Sequence, residues 1–345
     1  LDKKADFLAG ISNTNSSRSD GTEKLTTWDK FKRQMDQSWD RMEQQRLRAI
    51  EAWRVSEFAP VIRDSSTVFY PFGGPDFLHA HAFYPDANEF ILVGLEPIRE
   101  LPDFSSFTEK RQGDFLDTLS RSLRDILFKS YFITQHMQRD LKSINGVLPV
   151  FFFFIKRTGN EIMGLNYFTL DSAGQEVPLE ISALYAQPIR GVRISFRKLN
   201  GGPLRSVYYF NTDLSNDNLG VRTPFLKFIR NRKTFNTFIK SASYLMHYPE
   251  FSLIRDELLY GSLSIFQDDT GVPFRFFSKS GYTASFYGNY EAPIRDFKGL
   301  KKQKDLDSAY LVSRKPMPFS IGYHWRSIKQ NCMLFIKRLP GIGGS

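Results

Sequence analysis

Between Trp28 and Trp53, apolar side chains recur at steps of three and four residues: Trp28, Phe31, Met35, Trp39, Met42, Ala49 and Trp53. The residues between them are mostly Lys, Arg, Gln, Asp and Glu. That period is the mark of an amphipathic α-helix, and Thr26 or Thr27 can cap its start. Trp28, Met35, Met42 and Ala49 stand seven apart, and Trp39 and Trp53 fall on the adjoining row, so the stripe is narrow and carries three of the four tryptophans. A helix over 27–56 would be about 45 Å long. With so thin a seam it must lie across a folded body or against a partner, and the body is the expectation.

The rest of the chain alternates strand and helix signals, which points to a mixed α/β (α+β) fold. Strands are expected at Ser66–Phe72, Phe77–Tyr84 and Glu89–Leu95, followed by helix over 105–145. Hairpins are expected at Val147–Lys156 with Glu161–Leu170, at Gly191–Lys198 with Leu204–Phe210, and at Ser262–Gln267 with Val272–Phe277. The run Val150–Ile155 is apolar on both faces and reads as a covered central strand. Pro224–Tyr248 and Phe251–Leu259 read as helical, and Tyr323–Arg338 as a closing strand or helix. The order of elements repeats: Ser130-Tyr131-Phe132 and Arg139-Asp140 in one block answer Ser243-Tyr244-Leu245 and Arg255-Asp256 in the next. The organisation expected is therefore a flexible leader (1–24), the long helix (25–60) and two related mixed-sheet lobes with covering helices (61–185 and 186–345), an internal duplication that would leave a cleft between them.

Composition narrows the partners. Lys and Arg number 47 against 37 Asp and Glu, a formal charge of +10 that favours anionic surfaces such as acidic glycans. The basic clusters Lys227/Arg230/Arg232/Lys233 and Lys298/Lys301/Lys302/Lys304 are short and interrupted, so solvated helix faces explain them and nucleic acid is disfavoured. The 33 phenylalanines predict an aromatic core, or an aromatic surface groove. One cysteine, Cys332, excludes an internal disulfide or a Cys-based zinc cluster. No apolar stretch of about 18 residues could span a bilayer. The sequence starts at Leu1, not Met, so an exported, periplasmic or secreted protein is the expectation.

No specific catalytic or cofactor motif is present. There is no Gly-x-Ser-x-Gly elbow, and Gly341-Ile342-Gly343-Gly344 has no helix after it. The densest cluster is Gly73-Gly74-Pro75-Asp76-Phe77-Leu78-His79-Ala80-His81. On a strand, His79 and His81 would share a face and could ligate a metal with Asp76, or act as acid and base. Gln267-Asp268-Asp269-Thr270-Gly271 contains Asp-Thr-Gly. A two-lobed aspartic protease needs a second such triplet, which is missing, so turn chemistry is the expectation, with Asp268 or Asp269 as a candidate general acid. Asp213 and Asp217 lie in a polar loop that lacks full calcium-loop spacing.

The leading expectation is a non-catalytic binding or assembly protein that engages another protein through Trp28, Met35, Trp39, Met42 and Trp53. The alternative is a hydrolase whose inter-lobe site draws on Asp76, His79, His81, Asp213, Asp268 and Asp269, and a second alternative is nucleic-acid binding through the basic 227–233 and 298–304 segments.

Overall fold

The computed structural model describes residues 1–12, 26–62, 66–132, 134–221, 223–278, 280–297, 299–326 and 329–338, without the side chains of 134–138 and 221. The polar part of the predicted leader, Gly341–Gly344 and Lys298 lie outside the described residues.

Period-two alternation in the strands divides the core into two layers. Val68, Tyr70, Phe90, Leu92, Phe238 and Phe266 face one side of the sheet. Phe69, Ile91, Val93, Phe210, Ile239 and Ile265 face the other. The helices in chain order are α1 (Asp2–Ala9), α2 (Thr27–Met42), α3 (Arg48–Trp53), α4 (Phe77–Phe83), α5 (Glu109–Arg124), α6 (Thr134–Ser143), α7 (Leu148–Arg157), α8 (Ile181–Leu184), α9 (Asn216–Val221), α10 (Thr223–Arg230), α11 (Ser252–Gly261) and α12 (Lys304–Ser313). The strands are β1 (Thr67–Tyr70), β2 (Glu89–Gly94), β3 (Asn160–Leu170), β4 (Glu176–Leu179), β5 (Arg190–Lys198), β6 (Arg205–Asn211), β7 (Phe235–Ile239), β8 (Ser262–Gln267), β9 (Tyr282–Gly288), β10 (Arg314–Lys315) and β11 (Asn331–Lys337). Core residues of α1–α5 and α7 cover the first face of the sheet, and those of α9–α12 cover the second.

All eleven strands form one sheet, ordered β10-β9-β11-β8-β7-β1-β2-β6-β5-β3-β4. The central five, β8-β7-β1-β2-β6, run parallel, and antiparallel pairs flank them. The chain leaves β1 for β2 on one side, then leaves β7 for β8 on the other, so the gap between β1 and β7 is a topological switch point. The expected lobe boundary at 185 does not divide the sheet. β5 and β6, assigned by sequence to the second lobe, pair with β3 and β2. The halves both open with two parallel strands and then differ, β6 lying parallel to β2 and β11 antiparallel to β8.

The stripe helix forms, with a capping box in which Thr26 Oγ1 accepts from Asp29 N at 3.2 Å and Asp29 Oδ2 from Thr26 N at 3.0 Å. It continues beyond α2 through π-helical turns at Glu43–Leu47 and Arg54–Phe58 that bracket α3. A π turn brings residues five apart onto one face, so Trp53 and Phe58 both reach the core, their rings 5.9 Å apart. Met35, Met42 and Trp53 are buried, and Trp28 and Trp39 pack half-buried against the same core. The stripe therefore faces the body.

Three local expectations are corrected. Residues 2–9 of the leader are helical, with Ala5, Leu8 and Ala9 buried and Asp2 and Asp6 each 2.8 Å from Lys156 Nζ. Val147–Lys156 is not a strand but forms the helix α7, buried from Leu148 to Lys156. An apolar run without alternation fits either state, and Pro149 in the first helical turn suits the helix. Phe235–Ile239, read as helix, is the strand β7 at the centre of the sheet.

Candidate active site

The carboxyl ends of β1, β2, β6 and β7 enclose a cavity of about 300 Å³. Ligand sites in open α/β sheets collect at such switch points because the diverging loops leave a crevice there. Phe72, Phe132 and Phe251 give its wall an apolar part, and Asp76, Glu96, Asp213 and Lys240 give it charge.

Asp76 and Lys240 form the polar centre. Asp76 caps α4, accepting from His79 N at 3.2 Å, and its Oδ1 meets His79 Nδ1 at 2.9 Å. Its Oδ2 accepts from Tyr70 Oη at 3.1 Å and lies 2.9 Å from Lys240 Nζ. Lys240 also donates to the Ser130 carbonyl. Burial alone would raise the Asp76 carboxyl, but His79 and Lys240 outweigh it and hold the group well below the usual carboxylate range. Burial pushes His79 down to about 4 against the pull of Asp76, so its ring is neutral at pH 7.

Glu96 has the opposite environment. It follows β2 and folds back over the strand end, where Tyr209 Oη donates to its Oε2 at 2.9 Å. Among the described residues no Lys, Arg or His pairs with it, and burial raises its pKa. The fold-back requires glycine at 94, since a Cβ there would lie 2.2 Å from Glu96 Oε2 and 2.8 Å from the Gly74 Cα.

The loop after β7 is strained. Ser241, Ser243 and Tyr244 have φ of 54°, 50° and 55°. Phe72 (61°), in the cavity wall, and Ser130 (66°), which binds Lys240 through its carbonyl, bring the positive-φ residues around the site to five of the seven described non-glycine cases. Left-handed backbone in L-residues persists only where the surroundings enforce it. Here the turn after β8 does so: Ser241 N donates to Asp268 Oδ2 at 2.9 Å and Ala242 N to Thr270 Oγ1 at 2.8 Å. Tyr244 Oη donates to Asp269 Oδ2 at 2.8 Å, and Asn331 Nδ2 to Asp269 Oδ1 at 3.1 Å. Burial raises both carboxyls, and for Asp268 the neighbouring Asp269 charge adds to it.

The predicted site residues are thus brought together in part. Asp76, with His79 behind it, and Asp213 reach the cavity, and Asp268 and Asp269 brace its strained loop. Phe77–Phe83 is a helix, not the expected strand, so residues two apart diverge. His81 leaves the site to pack against Phe77, with tilted rings and centroids 5.3 Å apart. Among the described residues, no three His, Cys, Asp or Glu side chains gather as a metal-holding group. Asp213 accepts from Ser215 N and Asn218 Nδ2, both at 2.8 Å, which is turn and capping work. The expected hairpin partner Val272–Phe277 is a single 3₁₀ turn, because the Gln267 side chain bonds both N and O of Val272 in place of a strand. In the basic 227–233 segment Arg230 pairs with Glu257 and Arg232 with Glu89.

Sequence reasoning missed Lys240 and Glu96. The usable signal for Lys240 was a β-prone run, Phe235-Asn236-Thr237-Phe238-Ile239, ending in a charge. For Glu96 it was a carboxylate at the end of an all-apolar strand. Among the described residues, no helix is long and apolar enough to cross a membrane. No family model, curated protein or solved structure matches the chain.

Proposed function

We propose that the protein is a hydrolase acting on a small neutral or amine-bearing substrate in the cavity at the β1/β7 switch point. The observation that carries this reading is a pair of carboxyl groups in one cavity wall whose pKa values are driven in opposite directions. Lys240 and His79 hold Asp76 well below the usual carboxylate range against its burial, whereas burial raises Glu96, which has no cation beside it among the described residues. Such separation suits one carboxyl to deliver a proton while the other stays ionised beside its cation. Glu96 serves as the general acid that protonates the leaving group. Asp76 anchors the Lys240 ammonium, which stabilises negative charge developing on the substrate. Asp76 offsets the charge of Lys240 and the wall's further acidic residue Asp213 adds no positive charge, which disfavours anionic substrates.

The test is turnover of chromogenic esters, amides and glycosides by the full chain, compared with Glu96→Gln. Gln keeps the shape of Glu96 and can still accept from Tyr209. The expected loss is about 100-fold or more, the scale of one general acid, with an unchanged circular dichroism spectrum. If no substrate turns over, or the variant matches the wild type, the reading fails.

A further inference from the structure

We propose that Ser241 is the nucleophile of this site and that the substrate is a small carboxylic ester or amide, so that the reaction passes through an acyl-enzyme. The inference rests on the cavity being the reaction site. Ser241 lines that cavity at the carboxyl end of β7. Its Oγ is buried and has no hydrogen-bond partner, which is unusual for a hydroxyl removed from water. Its φ of 54° places it on a sharp strand-end turn, the kind of strained backbone that presents a nucleophile to a pocket.

A base stands within reach. Asp268 Oδ2 already accepts the N–H of Ser241 at 2.9 Å. A Cβ built on Gly322 would lie 2.6 Å from Asp268 Oδ2 and 3.3 Å from Ser241 Oγ, so both atoms border one small notch kept open by glycine at φ 69°. The same carboxylate takes both the N–H and the hydroxyl of Thr270 on its other oxygen. The reaction requires Ser241 to turn about χ1 so that its Oγ meets Oδ2, as the Thr270 hydroxyl meets Oδ1. Burial and Asp269 raise the Asp268 carboxyl, which makes it a stronger base than an exposed carboxylate.

The step balances without a cofactor. Ser241 Oγ passes its proton to Asp268 and bonds to the acyl carbon. The bond from that carbon to the leaving oxygen or nitrogen breaks, and Glu96 protonates the departing group. Water then attacks the acyl-enzyme, giving a proton to Glu96. The carboxylic acid leaves, and Ser241 recovers its proton from Asp268.

The test is a fluorophosphonate probe on the full chain, with the labelled peptide mapped by mass spectrometry. Attack forms the Oγ–P bond, fluoride leaves and the proton goes to Asp268. Expected is labelling at Ser241 that is absent in Ser241→Ala and at least tenfold slower in Asp268→Asn. Ser241→Ala removes only an unpartnered hydroxyl, so its melting midpoint should match the wild type, and a lost label then cannot reflect unfolding. Absence of label at Ser241, or equal labelling of the Ala variant, overturns the proposal. The two readings fail separately. Substrate turnover that needs Glu96 and persists in Ser241→Ala removes the nucleophile and leaves the cavity hydrolase standing. Label at Ser241 with turnover indifferent to Glu96→Gln removes the acid role and keeps the nucleophile.

Discussion

At φ 54°, Ser241 is held in left-handed backbone by two side chains from the neighbouring β8 turn, Asp268 and Thr270. A non-glycine residue in that region costs on the order of 1–2 kcal/mol, part of which glycine recovers. Ser241→Gly should therefore raise the stability of the fold by up to about 1 kcal/mol while removing the reactive hydroxyl. A urea titration checks this, and a lower midpoint for the glycine variant would show that the backbone there is not under strain. Glu96 gives a prediction of opposite kind. Its folded pKa is raised, so its contribution to stability is fully present below the unfolded value and is lost as pH rises through the folded one. Glu96→Gln should thus gain on the wild type as pH rises from 4 to 8. Thermal midpoints of both proteins across that range give the answer, and a constant gap contradicts it. Lys240 and Asp76 are mutually dependent. Asp76→Asn leaves a buried ammonium without its counter-charge and should cost about 3–5 kcal/mol, whereas Lys240→Met combined with Asp76→Asn should cost less than Asp76→Asn alone.

Among elements, those with a clear period were readable in advance. The helix from Thr27, the β5–β6 hairpin, and strands β1 and β2 lie where alternation or 3.6-residue spacing placed them. The errors came where the pattern carries no period. Val150–Ile155 is buried all round, so sequence gives it no face, and only its burial beneath α1 and α5 decides for helix. Phe77–Phe83 resembles a strand until Asp76 caps it. The candidate site was half visible for the same reason. Asp76 belongs to a conspicuous Gly-Gly-Pro-Asp turn, whereas Lys240 was hidden by reading β7 as helix, and Glu96 signifies nothing until Gly94 lets it fold back. Trp53 is where the helical segment is fastened, its ring within 4.9 Å of Tyr287, 5.2 Å of Phe319 and 5.4 Å of Phe266, centroid to centroid. Trp53→Ala should cost about 3–5 kcal/mol, measurable as a fall in the urea midpoint. A loss under 1 kcal/mol would mean that the segment is only loosely held.

For the whole molecule, residues 27–58 are part of the structure they cover. Phe31, Met35, Met42, Ile50 and Phe58 are each at most 4% exposed, and removing the segment would uncover one apolar face of the sheet. A chain starting at residue 60 should therefore fail to fold cooperatively and should bind a hydrophobic dye. A sharp, reversible melt of that truncation would instead restore the helix as a detachable partner-binding arm. The continuity of the sheet has a temporal consequence. Val68 pairs with Asn236, and β1 lacks its second neighbour until β7 has been made. The earlier half of the chain thus leaves the ribosome with an open parallel edge, and its closing contact is among the most distant in sequence. Non-local parallel pairing of this kind is slow and exposes the chain to misassociation in the interval. Lys240 arrives with β7, so the charge centre is completed only when that edge closes, and a chain arrested before residue 235 cannot contain it.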